Sequence, residues 1–213
     1  TKELSKIYET LNNKENPTNL MLELGKLKSI NVYFSGQIKN PGVNLIHPFS
    51  DIFSAIVQAG GVKDEGSLRT IQLIRKNEII DNIDFYSFFI NGKNNFSNVK
   101  IIDGDIIHVP IVTNRVQIEG EIITSGYFEL LENESIADLV NYAGGLSANA
   151  SSFAILDMVI PISDRISNDN ARKAKNIHLK EFLSTNINNG DSINILSIGD
   201  VETTIEVLGR VKF

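Results

Sequence analysis

The sequence predicts an α+β protein in which one small sheet-and-helix unit is used twice, and three observations predict it. The stretch from Val32 to Gly61 recurs, altered, from Val116 to Gly145: Gly36 answers to Gly120, Gly42 to Gly126 and Ala59-Gly60-Gly61 to Ala143-Gly144-Gly145, always 84 residues later and without a gap. A fixed offset held over such a length marks a repeated folding unit. Each copy opens on period-two alternation, Val32 and Phe34 or Val116 and Ile118, with Tyr33 and Ser35 or Gln117 and Glu119 between them; one face is buried and one wet. Each then carries a helix-spaced stripe, Ile52, Ala55, Ile56 and Ala59 in the first copy and Ile136, Leu139, Val140 and Ala143 in the second, at i, i+3, i+4 and i+7.

Taken in order, residues 1–30 stand outside the repeat. Leu4, Ile7, Tyr8 and Leu11 are helix-spaced, and Asn16-Pro17 opens a second apolar run at Leu20, Met21, Leu24 and Leu27, with proline where a first helical turn tolerates it. Within the first copy, Asn40-Pro41-Gly42-Val43 has the residues of a type II turn. Copy two keeps the glycine as Thr124-Ser125-Gly126-Tyr127 and drops the proline, so a positive φ is expected to be the stricter requirement. Ser50 is the expected cap of the helix, with Asp51 at its positive end, and Gly60 and Gly144 its left-handed exits. Ile71–Arg75 and Glu78–Ile83 form a hairpin around Lys76-Asn77, Asp84 begins a short helix, and Ile106–Val109 closes the unit before Pro110. This is a β-grasp-like arrangement.

In the second copy Phe153–Ile162 is the expected counterpart of that hairpin, followed by a polar insertion over 163–176, a short helix over 179–183 and a closing strand after Gly190-Asp191. Ile205–Gly209 matches the opening strand again. The expected limits are a helical N-terminal segment over 1–30, domains over 31–112 and 113–200, and the truncated start of a third repeat over 201–213. The opening on Thr1 and the strand-like close at Phe213 are those of a piece of a longer chain.

The net charge of −6 argues against a nucleic-acid surface. No apolar run approaches the length of a membrane span, and with no cysteine there is neither a disulfide nor a thiolate metal site. His47, His108 and His178 lie in unrelated positions and read as structural or surface residues, because catalysis needs convergent groups. Gly104-Asp105 and Gly190-Asp191 read as turns, since one aspartate falls far short of an oxygen cage. Arg69, Arg75 and Lys76 could form a basic patch and Arg165, Arg172, Lys173 and Lys175 a basic loop, each more simply a solvated face. Tyr33, Tyr127 and Phe128 could stack on sugars but more simply supply packing area. No catalytic, cofactor-binding or metal residue is therefore expected, and no ligand-binding residue is assigned.

A family resemblance rests on the residues as a set. Val32-x-x-x-Gly36-x-Ile38-x-x-Pro41-Gly42 is followed by a helix ending in Ala-Gly-Gly, then by Gly66-Ser67-Leu68-Arg69-x-Ile71-x-Leu73-x-Arg75, Asp84-Phe85-Tyr86, Asp103-Gly104-Asp105 and Val109-Pro110. This resembles the SLBB domain, the soluble-ligand-binding β-grasp. The tandem copy, with Glu134-Ser135-Ile136-Ala137-Asp138-Leu139 and Tyr142-Ala143-Gly144-Gly145, is similar to the outer-membrane polysaccharide export proteins; it lacks the proline and a counterpart of Arg75. The resemblance implies a non-enzymatic periplasmic stack of domains. These close into a homo-oligomeric ring beneath an outer-membrane pore and pass a capsular or exopolysaccharide, with an inner-membrane polysaccharide co-polymerase as a further partner. Two other readings stay open. A cobalamin-like small-ligand module fits the fold alone. A competence-type DNA receptor would join this unit to a basic helix-hairpin-helix, which this sequence lacks.

Overall fold

The computed structural model describes residues 27–199 apart from 95, 97, 98 and 167–170, together with residues 15, 21 and 25. The predicted N-terminal helices and the start of a third repeat lie outside the described residues.

Two five-stranded mixed sheets follow one another along the chain. The first is built from β1 (Ile30–Gly36), β2 (Gly42–Ile46), β3 (Ile71–Arg75), β4 (Glu78–Ile83) and β5 (Ile106–Val109), in the order β2-β1-β5-β3-β4. The second repeats that order with β6 (Arg115–Gly120), β7 (Gly126–Glu129), β8 (Ala150–Val159), β9 (Arg172–His178) and β10 (Ser192–Ser197), as β7-β6-β10-β8-β9. In each, the opening strand pairs in parallel with the closing strand at the sheet centre, and the other pairings are antiparallel. The fold is α+β with two β-grasp-like domains, as the repeat predicts.

The alternation resolves as expected: Val32, Phe34, Val116 and Ile118 are buried while Tyr33, Gln117 and Glu119 are not. Helix α1 (Ile52–Gln58) buries Ile52, Ala55 and Ile56, and α3 (Ile136–Tyr142) buries Ile136 and Leu139. Each stripe seals its own core, one centred on Ile38, Leu73 and Ile107, the other on Ile118, Leu156 and Ile193. In the first, the rings of Phe53, Phe85, Phe88 and Phe96 cluster at the short helix α2 (Tyr86–Asn91), Phe53 stacked on Phe96 and the other pairs tilted or edge to face. The parallel central pair explains the glycine that ends each opening strand. At Gly36, φ is +80° and a Cβ would lie 2.0 Å from the Val109 carbonyl oxygen; at Gly120, φ is +85° and the same atom would lie 2.2 Å from that of Ile195.

Four expectations are corrected. Asp51, not Ser50, caps α1, its carboxylate accepting the Ser54 N–H at 2.7 Å, because the anion is the stronger acceptor for a helix's first amides. Gly42 has φ +105°, but Gly126 is not among the positive-φ residues, so the turn that lost its proline also lost the need for a left-handed glycine. The hairpin counterpart in domain 2 is β8 with β9, so Arg172, Lys173 and Lys175 belong to a strand and not to a loop. Edge strand β9 is exposed from Arg172 to Asn176, so no apolar alternation existed to reveal it. The helix expected over 179–183 is a single 3-10 turn, Leu179–Glu181.

Candidate functional site at the domain junction

The predicted candidates do not converge. His47 lies tilted against Phe49 at 5.6 Å, His108 Nδ1 meets Ser35 Oγ at 2.9 Å on the outer sheet face, and His178 caps the 3-10 turn by accepting the Lys180 N–H. Among the described residues no three His, Cys, Asp or Glu side chains gather as a metal site. Asp105 is fully buried and ties a turn, accepting the Ile102 N–H and both nitrogens of a bidentate Arg75, each at 2.8 Å. Among the described residues its counterpart Asp191 accepts only backbone N–H groups, from Val159 at 2.7 Å and Asn188 at 2.8 Å. Arg172 stands near that corner instead, donating to the Gly190 carbonyl at 3.1 Å and to Asp157 at 2.6 Å. Tyr33 and Tyr127 are exposed on the sheet faces, whereas Phe128 packs against the second core.

Arg69 is the residue whose surroundings differ most from expectation. It is only 6% exposed, inside the junction between the two domains, and its expected place on a solvated basic face is corrected. Gly66 and the residues after it form a tight loop into β3, which fixes Arg69 just ahead of buried Ile71. Its guanidinium has five N–H donors, and every nitrogen is engaged. Nε and Nη2 donate to Asp84 at 3.2 and 2.9 Å, Nη1 donates to the Glu129 carbonyl at 3.1 Å, and Nη2 reaches Glu134 at 2.7 Å while Nη1 pairs with that carboxylate's second oxygen. The plane lies against two rings, 4.4 Å from the centroid of Tyr86 and 5.1 Å from that of Tyr142, which meet edge to face. Asp84 and Tyr86 belong to the first domain, Glu134 and Tyr142 to the second.

A second anchor stands beside it. The Glu129 carboxylate, at the end of β7, accepts the hydroxyl of fully buried Ser67 and the Leu68 N–H at 2.9 Å, while the Glu129 N–H donates to Tyr86 Oη at 2.7 Å. Arg115 closes the junction by donating to the Asp64 carbonyl.

The electrostatics follow from this enclosure. Burial opposes the charge on Arg69, but hydrogen bonds and attraction from Glu134 and Asp84 outweigh it and hold the group above its ordinary value. Burial also acts against the Glu134 anion, yet the donors Arg69, Tyr142 and the Leu131 N–H bring its pKa below the usual carboxylate value. Burial and then the bond to Glu134 push Tyr142 up to about 12. Chemically the cluster is saturated: its acids and bases pair with one another, so it fixes geometry and offers no free nucleophile or base.

A model of the SLBB domain matches residues 31–82 and again residues 115–155. The chain carries two SLBB domains. Two curated relatives, both the polysialic acid transport protein KpsD of Escherichia coli, are 30% identical to it over 116 residues, 54% of this chain and 20% of theirs. The matched stretch is thus about a fifth of the relatives' length.

This clasp of Arg69 with partners from both domains had a sequence signal. Between copies that share their framework residues, Leu45, Ser50 and Gln58 in the first become Glu129, Glu134 and Tyr142 in the second, each at the offset of 84. Two of these changes bring Glu134 and Tyr142 onto Arg69, and the third supplies the Glu129 carboxylate that receives Ser67 and Leu68.

Proposed function

We propose that this chain is a non-enzymatic segment of a polysaccharide export apparatus in the bacterial envelope. In this reading it lies in the periplasm, and its SLBB domains, over 31–112 and 113–200, stack as rigid tiers of a homo-oligomeric ring around the glycan path. The observation that carries the reading is the 30% identity to a polysialic acid transport protein over 116 residues, beside the two SLBB matches. The clasp supports it: a tier that must hold its height and tilt against neighbours gains from a buried, fully paired junction rather than a free linker, since interfaces between domains permit motion by default. Open sheet edges at β2, β4, β7 and β9 offer heterologous contacts of the kind that close into rings. The inner-membrane co-polymerase and the outer-membrane association belong to the same proposal. Deleting the gene that encodes the chain and staining surface polysaccharide tests it. Loss of surface glycan with retention inside the cell, restored by the full-length gene, supports export; an unchanged surface coat overturns it.

A further inference from the structure

The two domains share a groove that the clasp leaves open. In each it runs between the loop entering the first helix and the loop entering the last strand. In domain 1 it is lined by Pro48, Phe49, Ser50, Asp51, Val99 and Lys100 and has a volume of about 260 Å³. In domain 2 it has a volume of about 480 Å³, and Glu132 and Glu134 stand 84 residues after Pro48 and Ser50, with Asn186 taking the place of Lys100. The fold thus builds one groove twice and lines it with different chemistry. Small-molecule sites occupy roughly 300–1,000 Å³, a range that the domain 2 groove enters and the domain 1 groove does not.

The lining of the larger groove is dominated by neutral polar groups: Thr113, Asn114, Asn186, Asn188 and Asn189. Each amide presents a donor beside an acceptor, the pairing that adjacent sugar hydroxyls also present. Asn114 is held from its backbone, whose carbonyl accepts the Leu130 N–H at 3.1 Å, while its Oδ1 is shielded from solvent and meets no donor among the described residues. An acceptor shut off from both water and protein donors is unfavourable, and a turn of this amide toward the groove would let a ligand hydroxyl relieve it. Glu134 is committed to Arg69, Tyr142 and the Leu131 N–H, but exposed Glu132 has no partner among the described residues and can accept a pair of hydroxyls. No lysine or arginine lines the groove, so an anionic sugar would meet carboxylate without compensation.

We propose that the domain 2 groove binds an uncharged, hydroxyl-rich sugar residue; the inference rests on the export reading and assigns its glycan contact. The test is a titration of the 15N-labelled 213-residue chain with maltotetraose and chitotetraose as neutral probes and a sialic acid tetramer as the anionic one. Shifts confined to Thr113, Asn114 and Asn186–Asn189, with dissociation constants of roughly 1 mM for a neutral probe, support it. Glu132→Ala and Asn188→Ala remove side chains that hold no other described residue and should each weaken the titration by at least about fivefold, the order expected for one lost hydrogen bond. It is overturned if neither neutral probe shifts these residues, if the shifts fall elsewhere, if the sialic acid tetramer binds equally well, or if both variants titrate like the parent. Wild-type export in cells carrying Glu132→Ala and Asn188→Ala together, with no groove shifts in vitro, would reject the groove and leave the export reading standing.

Discussion

The two domains have the same strand order and the same central parallel pair, yet their facing surfaces are unlike. Domain 1 supplies the arginine side of the junction, Ser67, Arg69, Asp84 and Tyr86; domain 2 supplies the carboxylate side, Glu129, Glu134 and Tyr142. Neither set is duplicated: the positions of Glu129, Glu134 and Tyr142 hold Leu45, Ser50 and Gln58 in domain 1, and the segment of domain 2 matching Gly66–Arg69 reads Ala150-Ser151-Ser152-Phe153. What the fold requires is therefore kept twice, and what the junction requires is kept once. The junction thus joins unlike faces of the two repeats, an arginine on one against carboxylates on the other, which makes it a heterologous contact.

The largest test of that division is to remove the arginine. Arg69→Ala leaves Glu134, Asp84 and the Glu129 carbonyl enclosed without their cation, and breaking a buried pair by deleting one partner costs about 3–5 kcal/mol; Arg69→Lys should recover little of it, since an ammonium cannot supply the planar fork. Denaturant unfolding measures both. Acid probes the same cluster from the other side. The folded pKa of Glu134 lies below its ordinary 4.5, so its contribution is complete above that pH and is lost as the pH falls through the folded value. Glu134→Gln should flatten the stability profile below pH 4.5 and leave its shape above unchanged.

Substitutions at the shared framework should hit both domains alike. Gly36→Ala and Gly120→Ala each place a Cβ about 2 Å from a carbonyl oxygen at a positive φ, with strain of about 1–3 kcal/mol before any shift of the closing strand. Unequal losses in calorimetry would show that the two centres are not equivalent. Below these comes the aspartate turn. Arg75→Ala leaves fully buried Asp105 short of its ion pair and should cost about 1–3 kcal/mol, whereas Arg172→Ala removes a half-exposed pair and should cost less than about 1 kcal/mol. The smallest contrast lies in the first turns: Gly42→Ala should cost about 1 kcal/mol because φ is +105°, and Gly126→Ala should stay within about 0.5 kcal/mol of the parent.

How far the sequence could be read follows from the same division. Period-two alternation at Val32 and Phe34 and the helix stripe at Ile52, Ala55 and Ile56 exposed the framework, because burial against a sheet or core writes itself into residue spacing. Strand β9 was hidden since, from Arg172 to Asn176, it is wet on both faces and held by backbone bonds that leave no such trace. The clasp was hidden for a different reason. An arginine reads as a surface residue unless its partners are known, and while Asp84 and Tyr86 lie nearby, the partners that span the junction lie 60 to 73 residues further on in a different domain. Only a comparison of the copies for their differences, at Glu129, Glu134 and Tyr142, would have drawn them together. The groove belongs with the clasp in this respect, because loops distant in sequence form it and its lining differs between the repeats.

The most direct measurement of whether Arg69 makes one body of two domains is thermal unfolding followed residue by residue by NMR, reading Ala55 in the first core and Leu139 in the second. Coincident melting in the parent chain and separated melting in Arg69→Ala is the expected result. Separate transitions in the parent, or transitions that remain coincident without the arginine, would contradict it.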